Sequence, residues 1–304
     1  MPPIGIIIIT YNSGEEIGAC LDAALATGSD ILVIDNASSD DTLVEIQRRN
    51  VRFIANKQNR GFAAAANQGY TDLKNPYLLL LNPDTVLLTS LEPLRAACDL
   101  PGCAGAGGKL LDENGHMQAG FMARQLPTAG ALVLEAILLN RAWPNNPINR
   151  RYRLLDRDYS KQFAVEQPAG AFLMVRRNVW QEVGGLDEDF YPIWFEDVDF
   201  CKRIQQHGYL LNYVPEAVIR HTGGHSIPQL SVEMRRYYWY RSLLRYSAKH
   251  FHRLSFGVVC AAIVLGSIVR GMVESAVERS FKPVAGYGRV IRLAGRSMFC
   301  GFRP

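Results

Sequence analysis

Four short apolar runs, each closed by a polar or acidic residue and separated by helical patterns, constrain this chain most. Gly5 to Thr10 (GIIIIT) is β-branched without alternation, the pattern of a strand buried on both faces in a parallel sheet. Ser13 offers an N-cap, and Glu15 to Ala26 carries Ile17, Leu21 and Leu25 at helical spacing. Ile31 to Ile34 is a second buried strand ending at Asp35, and Ser38 or Ser39 can cap a helix from about Asp40 to Arg49. Val51 to Ala55 reads as a strand, Gly61 to Tyr70 as an Ala-rich helix, and Tyr77 to Leu81 as a strand ending at Asn82-Pro83-Asp84. This order predicts an α/β fold with a doubly wound, mainly parallel sheet. Ligands of such sheets bind beyond the carboxyl ends of the strands. Thr10, Asp35 and Asp84 stand there.

The later pattern is mixed. Thr89 or Ser90 begins a helix, and Ala104 to Gln118 reads as a hairpin about Glu113-Asn114-Gly115. Residues 120–160, with Pro127, Pro144 and Pro147, read as loops with one short helix. Ala171 to Val175 is a strand, and Asn178 to Val183 a helix stopped by Gly184-Gly185. Glu196 to His207 is helical, Tyr209 to Arg220 is extended but broken at Pro215, and the chain from Val232 onward is mostly helix.

Charge and cysteine usage narrow the partners. Cys20, Cys98, Cys103, Cys201, Cys260 and Cys300 form no CxxC pair, which argues for reduced thiols in a cytosolic compartment. Met1-Pro2-Pro3 lacks a basic leader, and Ile6 to Ile9 is too short for the core of a secretory signal, so none is expected. The net charge of +4 hides an asymmetry: Arg235 to Pro304 holds 13 Lys and Arg against Glu274 and Glu278, which is +11 and leaves −7 elsewhere. Such a tail points to an anionic partner, nucleic acid or membrane surface. Leu254 to Val269 is 16 residues without a charge, short of the ~20 that a spanning helix needs. It follows a basic stretch rich in Tyr237, Tyr238, Trp239, Tyr240 and Tyr246, which suits docking on an anionic bilayer. A buried or homodimer-forming helix is the other reading, since Gly257 and Gly266 allow close packing. Nothing else in the chain supports nucleic-acid binding.

Four places carry candidate chemistry. Asp84 is either a solvated turn residue or, at a strand end, a ligand for a hard Mg²⁺ or Mn²⁺ ion on a diphosphate. Phe195-Glu196-Asp197-Val198-Asp199 follows Phe190, Tyr191 and Trp194. It reads either as an acidic helix N-terminus favoured by the macrodipole or as a general base whose pKa is raised by like charges. Asp199 reads as structural or solvated. His221 and His225 flank Gly223-Gly224, where backbone could approach a phosphate and imidazole could bind a metal; structural histidines are the plainer reading. Asp35 either caps the next helix or accepts a hydrogen bond from a ribose hydroxyl or a base N–H.

Taken together these residues resemble family 2 glycosyltransferases of the GT-A fold, in the bacterial rhamnosyltransferase-like branch that builds cell-surface polysaccharide. The matching pieces are TYN (Thr10 to Asn12), IDNASSD (Ile34 to Asp40), NRGFAAAAN (Asn59 to Asn67), LLNPD (Leu80 to Asp84), PAGAFLMVRR (Pro168 to Arg177), GGLDEDFYPIWFEDVDFCKR (Gly184 to Arg203) and the HTGGHS stretch. Each is weakly specific alone; together they keep the family order over roughly residues 4–250.

The resemblance implies a Rossmann-like catalytic domain over 1–228, with a nucleotide-binding half of about 1–100 and an acceptor half of about 101–228. A basic helical region, 229–304, would follow. Thr10, Tyr11, Asn12 and Asp35 would hold a pyrimidine nucleoside, with Asp35 near the base N3–H. Arg60, Gly61, Asn67 and Asn82 would lie along the nucleotide. Asp84 corresponds to the last acid of the family's DxD motif, Asn82 replacing the first, and His221 would join it on Mn²⁺ or Mg²⁺. Asp197 corresponds to the catalytic base with Glu196 orienting the acceptor, and Gly170 and Trp194 would face the acceptor. The expected reaction is inverting transfer from a dTDP- or UDP-linked sugar, rhamnose first, to a saccharide or polyprenyl-linked acceptor. The expected place is the cytoplasmic face of the cell membrane. A nucleotidyltransferase would favour a basic Gly-rich loop near the N-terminus, and residues 10–20 hold no Lys or Arg. An inactive sugar-nucleotide scaffold is disfavoured by the joint presence of Asp84, Asp197 and His221.

Overall fold

The four apolar runs become parallel strands joined by helices. The computed structural model describes residues 3–223 and 231–302. In order come β1 (Ile4–Thr10), α1 (Ile17–Leu25), β2 (Asp30–Asp35), α2 (Thr42–Gln47), β3 (Arg52–Ala55), α3 (Phe62–Asp72) and β4 (Tyr77–Leu81). β5 (Thr85–Leu87), α4 (Glu92–Cys98), β6 (Cys103–Leu111) and β7 (Ala123–Arg124) follow. The chain then forms α5 (Ala129–Ala136), α6 (Leu139–Ala142) and α7 (Pro147–Tyr152). It continues with β8 (Phe163–Val165), β9 (Gln167–Pro168), β10 (Phe172–Arg176), α8 (Arg177–Glu182), α9 (Glu196–Gln206) and β11 (Leu210–His221). The last elements are α10 (Val232–His250), α11 (Arg253–Glu278) and α12 (Lys282–Cys300).

Among the described residues, nine strands form one sheet ordered β3-β2-β1-β4-β10-β6-β11-β5, with β8 on β11. β1 is buried at every position, as a central strand covered on both faces must be. β1 to β4 are mutually parallel, and β10 enters antiparallel between β4 and β6. Phe172 pairs with Leu81, so the residues just before β10 stand beside those just after β4. The Asn82 N–H donates to the Ala171 carbonyl at 3.0 Å. Close backbone approach on the neighbouring strand requires glycine: a Cβ on Gly105 would lie 2.3 Å from the Met174 carbonyl oxygen.

Several expected boundaries move for identifiable reasons. β11 continues through Pro215, and a register shift between Val214 and Val218 absorbs the missing N–H. The Glu113-Asn114-Gly115 turn forms, but it closes only one bridge, Leu111 to Met117. Asp112 Oδ1 takes the N–H groups of Asn114 and His116 there, in place of further ladder pairing. Ser13 does not cap α1; its hydroxyl has no hydrogen-bond partner, and its N–H goes to Thr42 Oγ1 at 2.7 Å. Residues 120–160 hold three helices, α5 to α7, where one was expected. α5 has its own cap, Thr128, which accepts from the Ala131 N–H.

The contacts divide the described chain into two compact units. The first holds the sheet with α1 to α4, α8 and α9. The second holds α5 to α7, Ile193–Phe195 and α10 to α12. The boundary expected at 228 falls outside the described residues, and the second unit draws in segments well upstream of it.

Within the second unit α11 and α12 pack as a hairpin, and α5 lies on α11. A Cβ on Gly266 would sit 1.9 Å from the Ala136 carbonyl oxygen, so only glycine admits α5 at that point. Arg270 donates to the Glu135 carbonyl at 2.8 Å, and Arg236 pairs with Glu274. α11 is long and apolar enough to cross a bilayer, yet 44% of its most apolar stretch is buried inside the protein.

Candidate active site

The carboxyl ends of β1 and β2 are tied by Asp35. It is fully buried, and its Oδ1 accepts from Thr10 Oγ1 at 2.9 Å and from Ser38 Oγ. Its Oδ2 accepts from the Ser38 N–H at 3.0 Å. Ser38 Oγ in turn takes the Asn12 N–H at 2.8 Å, and Asn12 Oδ1 takes the Ser39 N–H at 2.6 Å. Asp35 therefore shapes the loops around Asn12, while half-buried Tyr11 follows Thr10 at the strand end. Asn36, which the sequence did not single out, does the same for the next loop. Its Oδ1 accepts the Arg60 N–H at 3.2 Å, and its Nδ2 donates to the Gly61 carbonyl at 3.1 Å. Gly61 is required here: φ is +82°, and a Cβ would lie 2.9 Å from Tyr191 Cδ2. The Arg60 guanidinium is exposed beside Gln68. Asn67 turns elsewhere, exchanging hydrogen bonds with the Leu186 backbone at 2.8 and 2.9 Å.

Asp84 and His221 meet where β5 pairs with the end of β11. His221 Nε2 lies 3.6 Å from Asp84 Oδ2. Gln118 fixes the tautomer: its Nε2 donates to the His221 carbonyl at 2.8 Å, which leaves its Oε1, at 3.0 Å, to accept from His221 Nδ1–H. Burial lowers the His221 pKa against the opposing pull of Asp84, which favours the neutral ring. With Nδ1 donating to Gln118, Nε2 is the nitrogen that faces the Asp84 side chain. Asp84 Oδ1 is buried with no hydrogen-bond partner. Phe121 stacks on the ring at 5.4 Å. A cation is what this donor set fits, with the outer nitrogen oriented as metal-binding histidines require. Among the described residues no group of three or more His, Cys, Asp or Glu could hold a metal. Two protein ligands suit Mg²⁺ or Mn²⁺, which completes its shell with water and phosphate oxygens. His225 lies outside the described residues.

Asp197 is the second residue of α9 and keeps part of its surface open. Its Oδ1 accepts the Val198 N–H at 2.8 Å, and its Oδ2 accepts from the Gly170 N–H at 3.3 Å and Gln167 Nε2 at 3.4 Å. Burial raises its pKa; the N–H donors of Val198 and Gly170 and the charge of Arg124 partly oppose that. A Cβ on Gly170 would lie 3.0 Å from Asp197 Oδ2, so glycine leaves this oxygen its room. Glu196 differs: it is only 5% exposed, and its Oε2 has no partner. Burial first, and Asp197 second, push its pKa well above the ordinary carboxylate range. Asp199 is fully buried and bonded to Arg203 Nε at 2.8 Å, a structural pair. Trp194 falls in the second unit and has φ of +82°, rare for a bulky residue.

Gln118, Arg124 and Gln167 were not legible as site residues. Each is a lone polar residue outside any periodic pattern, placed by partners far away in sequence.

The sequence matches the family Glycosyl transferase family 2 over residues 5–182, and Glycosyl transferase family group 2 over residues 155–285. It is 31% identical over 239 residues to the N-acetylglucosaminyl-diphospho-decaprenol L-rhamnosyltransferase of Mycobacterium tuberculosis, covering 73% of this chain and 76% of that one. The fold is similar to that of mannosyltransferase PcManGT from Pyrobaculum calidifontis in complex with GDP-Man and Mn²⁺. The TM-score there is 0.53 at 15% identity, over 98% of this chain and 87% of that one. It is also similar to GalNAc-T7 with UDP, GalNAc and Mn²⁺, with a TM-score of 0.57 at 16% identity. That match covers 81% of this chain and 48% of the longer partner, so the chain spans about half of it. These likenesses show a GT-A fold with a mostly parallel central sheet.

Proposed function

The chain belongs to glycosyl transferase family 2, and within that family we propose that it moves a sugar from a nucleotide-sugar donor to a lipid-linked saccharide with inversion. Rhamnose from dTDP-rhamnose is the first choice of donor, supported by the name of the mycobacterial relative. The acceptor class has the same support, and the cytoplasmic face of a membrane is the site of reaction that goes with this reading. One observation carries the mechanism. Asp84 after β4 and His221 at the end of β11 lie at the same edge of the sheet as Gly170, just before β10, whose N–H holds the partly exposed Asp197 of α9; the Asn82–Ala171 hydrogen bond ties the ends of β4 and β10.

Asp197 Oδ2, held by the Gly170 N–H, takes the proton of the acceptor hydroxyl. The freed oxygen bonds to the anomeric carbon as the bond to the diphosphate oxygen breaks on the opposite face. Glu196, whose carboxyl pKa is pushed up by burial and by Asp197, sits beside the base as a group that resists carrying a second negative charge. Asp84 and His221 would hold a divalent cation, which when bound supplies positive charge to the leaving diphosphate. Asp35 and Asn36 keep the loops that border the nucleotide in shape.

The test is transfer by the purified chain from dTDP-rhamnose, UDP-glucose and UDP-galactose to a synthetic polyprenyl diphosphate-linked N-acetylglucosamine, with Mn²⁺ present. Transfer of rhamnose alone supports the full reading, and transfer of another sugar replaces only the donor. No transfer and no donor hydrolysis across the panel overturns the proposal.

A further inference from the structure

We propose that the α11–α12 hairpin is a docking element for an anionic lipid bilayer, with arginines of α12 binding lipid phosphates. This goes beyond the transfer reaction and does not depend on which sugar is moved.

The first observation is an exposed apolar stripe. Leu254, Val258, Leu265, Val269 and Met272 are all exposed on α11. At 3.6 residues per turn they fall within about 60° of arc and run for about 27 Å. The opposite face, with Val259, Ile263 and Gly266, is buried within the protein. The stripe leads to Phe281, 87% exposed in the turn before α12. A helix with one face packed on protein and the other apolar and bare suits an interfacial position better than a spanning one.

The second observation is a cavity of about 500 Å³ lined by Met234 and Tyr237 of α10 and by Arg289, Arg292, Arg296 and Ser297 of α12. The three arginines recur at i, i+3 and i+7, so they share one helix face. All three are exposed, and among the described residues none is paired with a carboxylate; Arg289 lies 5.9 Å from the Tyr237 ring. Guanidinium forks in such a group match phosphate oxygens.

Charge decides the occupant. Arg235 to Pro304 holds 13 basic residues and two acids, and Glu274 is already taken by Arg236. A second copy would bring like charge against like. An anionic bilayer offers apolar chains for the stripe and phosphates for the arginines. The structure also refines which residues serve. Tyr240 and Tyr246 are buried, Arg236 is ion-paired and Arg270 is spent on α5, so the surface is α11 and α12 more than the aromatic run of α10.

Co-sedimentation of the full chain with phosphatidylglycerol and with phosphatidylcholine vesicles tests this. The wild type should pellet with the anionic vesicles alone at low salt and be released at high salt. The triple variant Arg289→Gln, Arg292→Gln, Arg296→Gln should partition on the order of 100-fold more weakly, at roughly a factor of five per charge. The same three positions changed to Lys should restore most of that. Leu265→Asp with Met272→Asp should also weaken partitioning. Melting temperature and donor binding should match wild type in every variant, which separates loss of docking from loss of fold. A wild type that stays in the supernatant with anionic vesicles overturns the proposal. So does a Gln triple variant that pellets unchanged, or a Lys variant that fails to recover. A concentration-dependent dimer dissolved by Leu265→Asp, with no vesicle binding, assigns the stripe to a second copy instead.

Discussion

Replacing Asp197 with Asn keeps the size of the side chain and removes its basicity. Two opposing effects on stability can be worked from the contacts. Asp197 accepts from Val198 N–H at 2.8 Å, from Gly170 N–H at 3.3 Å and from Gln167 Nε2 at 3.4 Å. An amide has one oxygen, so whichever way it turns, its NH₂ faces a backbone N–H. Leaving one such donor unsatisfied costs about 1–3 kcal/mol. Against this, the wild-type carboxylate has a raised pKa, so its ionised form destabilises the fold at neutral pH, and Asn removes that burden. Net stability should therefore fall by no more than about 2 kcal/mol. Turnover should fall by about 100-fold or more, as for removal of a general base. The sign of the pH effect follows from the same shift. The base works only when deprotonated, so wild-type activity should fall as pH drops through the raised Asp197 pKa, and the variant's residual rate should lack that limb. The assay is initial-rate transfer from pH 5 to 9 at saturating donor, with donor binding measured by calorimetry. Retention of more than a tenth of wild-type turnover, or survival of the acidic limb in the variant, would refute the assignment.

Asp84→Ala, His221→Ala and Gln118→Ala should each weaken Mn²⁺-dependent binding of a nucleoside diphosphate, the last by about 10–100-fold through loss of ring orientation. Calorimetry with dTDP, with and without Mn²⁺, reads this directly, and unchanged metal dependence in all three removes the cation site. Glu196→Gln concerns stability. The folded state holds the Glu196 proton above its ordinary value near 4.5, so wild-type stability should decline as pH rises from there toward the raised pKa. The Gln variant should lose that part of the slope, narrowing the gap in melting temperature between pH 5 and pH 8; an unchanged gap means that Glu196 is not buried as a neutral acid.

Local chemistry determined a good deal of this protein by itself. A run such as Ile6 to Ile9 has one low-energy use, a strand covered on both faces, and the helical stretches between such runs force parallel order. Strand ends are likewise local, which is why Asp35 and Asp84 could be read as candidates before any contact was known, and the acidic start of a helix beside aromatics marked Asp197 in the same way. Tertiary structure decided what surrounds each carboxylate. Asp35 is held by Thr10 and Ser38, Asp199 by Arg203, and Glu196 is closed off, while Asp84 keeps an unbonded oxygen and Asp197 part of its surface open. Gln118 reaches His221 across 103 residues, and β10 runs backward between β4 and β6. The same holds for α11, whose composition fits a spanning, buried or interfacial helix, and whose buried face became visible only where Gly266 let α5 approach. Periodicity and capping act over a turn or two of chain, whereas burial, tautomer and hydrogen-bond partner depend on which distant segment arrives, and that is settled only when the sheet and its helices close together.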